Sequence, residues 1–204
     1  MLTIGLRFAS GAWPVLDQFR ALGQFGPALA PAIAPALKPR YTPAAMIEAP
    51  FQRYRATVSP DWIDYNGHMN VAFYVLAFDK ATDVLFDALG LGVDYVKATN
   101  HSSFALEAHI AYERELKLDD PLVVSSLIVA VDRKRVHLFQ EMFHATENYR
   151  AATFESIGLH VDLGARRSAV FPPELQARLD AAAANHAGLP RPASLGRGIS
   201  MRQR

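Results

Sequence analysis

Residues 63–74 read IDYNGHMNVAFY, a polar run that turns apolar without an intervening break. Its polar side chains stand on alternate positions, namely Asp64, Asn66, His68 and Asn70. Asn70 occupies the place of an N-cap, because an amide oxygen there can accept from the backbone N–H groups left free at the start of a helix. The stretch predicts a polar loop that leads into a helix at about residue 71.

An apolar stripe follows the loop at steps of three and four residues, the spacing of one helix face. The stripe consists of Val71, Tyr74, Val75, Phe78, Thr82, Leu85, Phe86 and Leu89. Gly90 and Gly92 then supply the stop signal. We therefore predict one helix of about five turns.

Apolar and β-branched segments surround this helix. They are residues 52–59 before the loop, and 103–113, 121–131, 136–146 and 151–162 after it. In the segment 103–113, alternation predicts one face made of Phe104, Leu106, Ala108, Ile110 and Tyr112. Short connections imply antiparallel neighbours. One long central helix wrapped by a curved antiparallel sheet of about five strands is an α+β fold.

The two ends of the chain differ from this middle part. Residues 1–45 are rich in proline and alanine, so we expect a disordered extension, with Met46 as the favoured true start. The basic, acid-poor composition is also typical of transit peptides, which is the less favoured interpretation. A short helix is predicted over 173–184. Residues 185–204 contain four arginines and no acid, so we expect a disordered basic tail. This leaves one domain over residues 46–184.

Composition excludes several classes of function. The 204 residues carry a net charge of +1, so the chain lacks the excess of basic residues that would indicate a nucleic-acid partner. The chain has no cysteine, so disulfides and thiolate nucleophiles are excluded and a reducing cytoplasm is expected. No apolar run is long enough to predict a membrane span. The histidines lack metal-ligand spacing on a helix, so neither a metal nor another cofactor is expected.

The spacing D-x-x-G-H-x-N before a long helix resembles the hot-dog thioesterases of the 4-hydroxybenzoyl-CoA thioesterase type. The resemblance covers residues 50–165. It implies a hot-dog fold, with Asp64 as the catalytic aspartate and the backbone N–H near Val71 as the donor that polarises the substrate carbonyl. It also implies pairing of protomers with sites between them, so a homodimer or a dimer of dimers is expected.

The same residues are similar to the D-x-N-x-H-x-N-N signature of plant acyl-carrier-protein thioesterases, which share the fold. That resemblance implies catalytic roles for Asp64, Asn66 and His68, and for Glu107, a further acidic residue on the next strand. Val71 replaces the second Asn of the signature, so only its backbone can contribute.

The longer sequence motif, WIDYNGHMN followed later by LHVD and a pair of arginines, most resembles the betainyl-CoA thioesterases of bacterial carnitine breakdown. It implies hydrolysis of betainyl-CoA to glycine betaine and coenzyme A (CoA). A general short-chain acyl-CoA or acyl-carrier-protein thioesterase, and a non-catalytic acyl-CoA-binding hot-dog protein, remain the alternatives. The sequence contains no motif typical of hydratases, so a hot-dog dehydratase is not favoured.

The residue types suit thioester hydrolysis. A helix N-terminus offers unpaired N–H groups and a positive dipole end, where the negative charge of a transition state can be held. Gly67 permits close approach of the backbone and an unusual dihedral angle. Asp64 can act as a nucleophile or as the base for a water molecule, with Asn66 and His68 as orienting groups. If the resemblance is set aside, the same residues are ordinary turn and cap residues.

Candidate substrate-binding residues lie in the loop and at a charged turn. Aromatic faces and a carboxylate suit a trimethylammonium group, and an arginine fork suits the phosphates of CoA. The predicted set is Trp62, Tyr65, Gly67, Asn70, Tyr74, Phe104, Arg133, Lys134 and Arg135, with Glu107 as a counter-charge. The alternative is that most of the aromatics belong to the core and that the charged turn is only solvated.

Overall fold

The computed structural model describes residues 47–201, so the predicted extension over residues 1–45 and the predicted start at Met46 lie outside the described residues. The strands are β1 (Arg55–Thr57), β2 (His101–Tyr112), β3 (Pro121–Val131), β4 (Arg135–His144), β5 (Arg150–Asp162) and β6 (Arg167–Ser168). The helices are α1 (Val71–Leu89), α2 (Val93–Thr99) and α3 (Pro173–His186), with a 3₁₀ turn at Pro60–Trp62.

All strand pairings in the sheet are antiparallel, in the order β1-β3-β4-β5-β2, and β6 pairs with β5. Helix α1 packs on one face of this sheet, where Phe78 stacks on Phe154 with ring centroids 5.1 Å apart. The predicted two-layer α+β architecture is confirmed. Strand β2 lies at one edge of the sheet, so one side of its backbone has no strand beside it among the described residues.

Helix α1 begins and ends where the sequence predicts. Asn70 has extended dihedrals, and its side-chain oxygen accepts from Ala72 N at 3.0 Å. Gly90 ends the helix in the left-handed region with φ 76°, which costs glycine little because it has no Cβ. Both termini are therefore set by local side-chain chemistry.

The predicted apolar stripe of α1 is partly wrong. The buried face consists of Tyr74, Ala77, Phe78, Ala81, Leu85 and Leu89. Val71 and Val75 are instead 57% and 41% exposed. Two alanines turned toward the sheet let the helix backbone approach it closely, which rotates the valines toward an uncovered side.

A buried polar link holds the middle of α1 to the sheet. Gln140 is completely buried, its amide nitrogen donates to Ser126 Oγ at 2.9 Å, and its oxygen accepts from Thr82 Oγ1 at 3.3 Å. Because unpaired buried amides are costly, this network favours one register of the helix on the sheet.

The alternation predicted for residues 103–113 fails at a β-bulge. The register of β2 against β5 slips between Ala105 and Glu107. Phe104 and Glu107 pair with Leu159 and Ile157, two positions on one face. The residues after the bulge that face α1 are Ala108, Ile110 and Tyr112. Phe104 is therefore on the opposite face from these three residues, and no side-chain alternation announces an inserted residue.

Helix α2 was not predicted, since its seven residues are too few for a clear periodic signal. It follows Gly92 directly, and a Cβ on that glycine would lie 1.5 Å from Asp87 Oδ1. Within residues 47–201, no helix combines the length and the hydropathy that a membrane span requires.

The boundary predicted between residues 184 and 185 is too early. Helix α3 continues to His186, and Asn185 Nδ2 donates to Ile47 O at 2.7 Å. Beyond the helix, Arg191 Nη1 donates to Val129 O at 3.2 Å and Gly196 N donates to Glu155 Oε2 at 2.7 Å. The segment thus contacts β3 and β5 as far as Gly196. Disorder of the tail as a whole stays a prediction.

The face of the sheet turned away from α1 is partly covered at this place. Leu127 and Phe139 form a cross-strand pair there, next to Glu155, and are only 7% and 2% exposed. The hydrogen bonds of the C-terminal segment flank this pair, so the segment lies over an apolar patch of the outer face.

Two histidines are buried, and their hydrogen bonds fit the neutral imidazole in one defined tautomer. His160 Nδ1 lies 3.0 Å from Ala169 O and therefore carries a proton, while Nε2 lies 2.9 Å from Tyr95 Oη and accepts from it. His186 Nδ1 accepts from Ile128 N at 3.0 Å, so its Nε2 donates to Glu48 O at 3.1 Å. Burial lowers the pKa of both imidazoles below the ordinary value.

Stability should consequently fall on mild acidification. The unfolded chain takes up protons at these histidines below a pH of about 6.5, whereas the folded chain resists protonation, so the free energy of unfolding decreases as the pH falls through that value. We expect a lower Tm at pH 5.5 than at pH 7.5. His186→Asn keeps an acceptor for Ile128 N–H but cannot be protonated in this range, and it should flatten the dependence. An unchanged slope in this variant would contradict the assignment.

Candidate active site

The loop between β1 and α1 closes on itself. Ile63 and Met69 form an antiparallel bridge, Asp64 N donates to His68 O at 3.1 Å, and Gly67 N donates to Asp64 O at 3.0 Å. Gly67 has φ 79°, and a Cβ built on it would meet nothing within 4 Å. The glycine is required for its dihedral angle, and its surroundings leave the backbone open to a ligand.

The carboxylate of Asp64 accepts two hydrogen bonds. Oδ1 accepts from Asn66 N at 2.8 Å, and Oδ2 accepts from Asn70 Nδ2 at 3.3 Å. A carboxylate offers about four lone-pair positions, so within the described part of the chain each oxygen retains capacity for another donor. Asp64 is half-buried, which leaves it within reach of a bound molecule.

Asn70 connects this carboxylate to the helix. Its Nδ2 faces Asp64, while its Oδ1 accepts from Ala72 N, the N-cap bond that starts α1. The two contacts fix which end of the amide points where. One side chain therefore sets the position of the carboxylate relative to the N-terminus of α1.

The first N–H group of α1 is available. In the region spanning residues 47–201, Val71 N has no hydrogen-bond partner, while Ala72 N and Phe73 N are both satisfied by Asn70. The carbonyl of Val71 accepts from Tyr112 Oη at 3.3 Å. A free N–H at the positive end of a helix dipole is suited to an oxyanion.

A backbone hydrogen bond joins the loop to the connection between β2 and β3. Met69 N donates to Leu116 O at 2.7 Å, and Leu116 N donates to Tyr74 Oη at 3.0 Å. No sequence pattern indicates a role for Leu116, because it acts through its peptide groups and any residue type would provide them at least in part.

Two predicted orienting residues are placed differently from the prediction. Asn66 is exposed and reaches Asp64 through its backbone N–H, not through its side chain. The His68 side chain places Nδ1 at a long 3.4 Å from Met69 O. Their roles toward water stay predictions, and neither side chain bonds to the Asp64 carboxylate within the described residues.

The predicted aromatic residues separate into three environments. Tyr65 is 97% exposed at the tip of the loop. Trp62 is half-buried and stacks on Phe73 with ring centroids 5.7 Å apart. Tyr74 is only 4% exposed, packs edge-to-face on Tyr112, and has its hydroxyl engaged by Leu116. A direct contact of Tyr74 with substrate is therefore contradicted by its burial in this protomer.

Glu107 and Phe104 are not brought to the loop. Tyr112, whose hydroxyl reaches Val71, is five positions beyond Glu107 on the same strand, and five strand residues span about 16 Å. Both residues also lie on the face of β2 opposite Tyr112, Glu107 by simple alternation and Phe104 because of the bulge. Neither residue can share the site of Asp64 within one protomer.

The basic turn of residues 133–135 lies at the far end of the sheet. The loop follows β1, whose Thr57 pairs with Pro121 at the start of β3, whereas the turn follows the end of β3. Eleven strand residues separate the two ends by about 36 Å.

The three cations of this turn differ in their availability. Arg135 pairs with Asp132 at 2.6 Å, and Lys134 Nζ donates to Ser168 Oγ at 3.1 Å. Arg133 is exposed, and its carbonyl accepts from Phe171 N at 2.8 Å. A phosphate-binding role stays a prediction for all three, and it cannot serve the loop of the same protomer.

The geometry brings together a carboxylate with free lone pairs, an unpaired helix N–H, and an amide that fixes both. Such a set can hold the oxygen of a carbonyl group while a base or nucleophile acts at its carbon. The residues that form it are Asp64, Gly67, Asn70 and Val71.

A family model described as the thioesterase-like superfamily matches residues 58–179, which contain the loop, α1 and the whole of β2–β5. The betainyl-CoA thioesterase of Pseudomonas aeruginosa is 38% identical to this chain over 148 residues, which cover 72% of this chain and 93% of that protein. The match thus includes nearly all of the relative.

Two further similarities extend the comparison. An L-carnitine dehydrogenase/betainyl-CoA thioesterase of Rhizobium meliloti is 33% identical over 164 residues, covering 79% of this chain but only 33% of that larger protein. A Staphylococcus aureus protein solved in complex with CoA superimposes with a TM-score of 0.71 at 29% identity, covering 78% of this chain and 99% of that one.

Proposed function

The chain belongs to the thioesterase-like superfamily, and we propose that its Asp64 loop hydrolyses a short-chain acyl-CoA thioester. The observation that carries this proposal is the link through Asn70 between the Asp64 carboxylate and the helix end that presents the free N–H of Val71. The similarity to a protein solved with CoA supports the substrate class.

In the proposed reaction, the thioester oxygen accepts a hydrogen bond from Val71 N–H. Water adds to the carbonyl carbon as Asp64 takes its proton; the carbon–sulfur bond then breaks, and the CoA thiolate leaves and takes the proton from Asp64. In the second route, Asp64 attacks the carbon directly and expels the CoA thiolate, and water then hydrolyses the resulting anhydride and restores the Asp64 carboxylate. Both routes need the charge on the carbonyl oxygen to be held by the same N–H.

We propose betainyl-CoA as the substrate, with glycine betaine and CoA as the products, in the degradation of carnitine. The names of the Pseudomonas and Rhizobium relatives support this choice. A trimethylammonium group has no N–H to donate, so aromatic faces must recognise it. Tyr65 at the loop tip and Trp62 beside it supply such faces.

We further propose that the functional unit is a homodimer or a dimer of such dimers, as expected from the resemblance. Strand β2 is an edge strand whose residues 105–108 are all exposed, and the apolar side of α1 formed by Val71 and Val75 is uncovered. A CoA phosphate contact from residues 133–135 could reach the Asp64 loop only from a second protomer. The cytoplasmic location stays a prediction from the sequence.

Multi-angle light scattering should therefore give at least twice the mass of one chain at micromolar concentration. Leu106→Lys puts a charge on the exposed part of β2 and should weaken the dimer together with the activity. Val93→Lys, at an exposed apolar residue of α2, should leave both unchanged. A fully active monomer would overturn the shared site.

Asp64→Asn should lower kcat by on the order of 10² to 10⁴ while KM changes little, because the lost interaction belongs to the transition state. Asp61→Asn, three residues earlier and exposed, is the matched control and should retain full activity. Thermal melting establishes that both variants are folded. Normal turnover by folded Asp64→Asn would end the proposal.

Betainyl-CoA should be preferred at least tenfold in kcat/KM over 3,3-dimethylbutanoyl-CoA, the isostere that replaces nitrogen by carbon. One desolvated cation–π contact contributes about 2 kcal/mol, or roughly thirtyfold. Tyr65→Leu should reduce the preference without abolishing hydrolysis of the neutral ester. Equal rates for the two esters would indicate a general short-chain acyl-CoA thioesterase.

A further inference from the structure

We propose that Tyr74 is a positioning residue for the Asp64 loop and that it acts through the peptide groups of Leu116. This inference rests on the proposed function, because it assigns to Tyr74 a part in hydrolysis. Tyr74 touches no reacting atom in the proposal; its effect is on where Asp64 lies.

The first contact joins α1 to the connection between β2 and β3. Tyr74 Oη accepts from Leu116 N at 3.0 Å, and both residues are almost completely buried. A buried N–H that loses its acceptor cannot turn to water without local rearrangement. The hydroxyl therefore fixes the position of the Leu116 peptide.

The second contact joins that peptide to the loop. Leu116 O accepts from Met69 N at 2.7 Å, and Met69 forms the bridge with Ile63 that closes the loop around Asp64. Among the described residues, no other hydrogen bond joins residues 63–70 to a segment distant in sequence. Leu116 is therefore the residue through which the loop is attached to the connection between β2 and β3.

The two contacts form a closed circuit. Tyr74 is on the first turn of α1, the helix whose N-terminus presents Val71 N–H, and its hydroxyl accepts from Leu116 N. Leu116 O in turn accepts from Met69 N of the loop that precedes the helix. Asn70 ties the carboxylate to the helix on one side, and Leu116 ties the loop to the helix on the other. Misplacement of a catalytic group by about 1 Å can cost on the order of a hundredfold in rate, so a loosened circuit should reduce kcat.

A buried tyrosine outside the circuit offers a matched control. Tyr95 is 7% exposed, and its Oη lies 2.9 Å from His160 Nε2. Tyr95 lies on α2, and this contact involves neither Leu116 nor residues 63–70. Tyr95→Phe therefore removes a buried hydroxyl without opening the circuit. Tyr149 cannot serve as this control, because its Oη donates to Glu115 O at 2.9 Å and that carbonyl belongs to the same peptide group as Leu116 N–H.

Tyr74→Phe keeps the ring and removes only the hydroxyl. We expect about a tenfold lower kcat with KM changed less than about twofold, and faster amide exchange across residues 63–70 by mass spectrometry. Tyr95→Phe should leave kcat and loop exchange at the wild-type level. The measurements are made on the full chain well below the melting temperature of each variant.

A wild-type kcat in folded Tyr74→Phe, with a lowered Tm alone, would overturn the inference and leave Tyr74 a core residue. Should this variant not fold, the wild-type chain decides by NMR exchange: a Met69 amide as unprotected as that of Asn66 overturns the circuit, and protection like that of a β-strand amide supports it. Absence of hydrolysis in the wild type, or full activity of Asp64→Asn, would instead count against the proposed function.

Discussion

The amide of Asn70 is shared between a helix and a carboxylate, and the candidate site depends on that sharing. Its oxygen caps α1 through Ala72 N, and its nitrogen faces Asp64. An amide can satisfy both because it carries a donor and an acceptor on one planar group. If an aspartate stood there, it could cap the helix but would repel Asp64. Serine could cap the helix, but its short side chain could not extend to the carboxylate in the same way.

The rest of the fold can be understood as support for this contact. The sheet holds α1 through a buried face and the Gln140 network, and the connection between β2 and β3 holds the loop through Leu116.

What one protomer does not supply is equally clear. The basic turn and Glu107 are distant from Asp64, and the edge of β2 is open. If these groups belong to the proposed acyl-CoA site, a second protomer must supply them.

The sequence predicts best where a side chain acts on its own backbone. The start of α1 at Asn70 and its end at Gly90 were foreseen because capping is local chemistry. It predicts less well where the backbone acts alone: the bulge of β2 places Phe104 on the face opposite Tyr112, and the peptide groups of Leu116 left no signal. Tyr74 illustrates the limit, since its aromatic character was compatible with ligand contact and only the packing of β2 and its following connection shows that it is enclosed.

The division of labour between Asn70 and Asp64 also bears on how the loop can act. An aspartate in the cap position would have its oxygens engaged by the backbone donors of the helix. Here the neutral amide takes the capping bond, and Asp64 lies six residues earlier with one donor on each oxygen. Among the described contacts, about two of its four lone-pair positions remain open. A water molecule or a thioester carbon can therefore approach the carboxylate without breaking a bond that holds the loop or the helix. The functional group stays available because another residue performs the structural task.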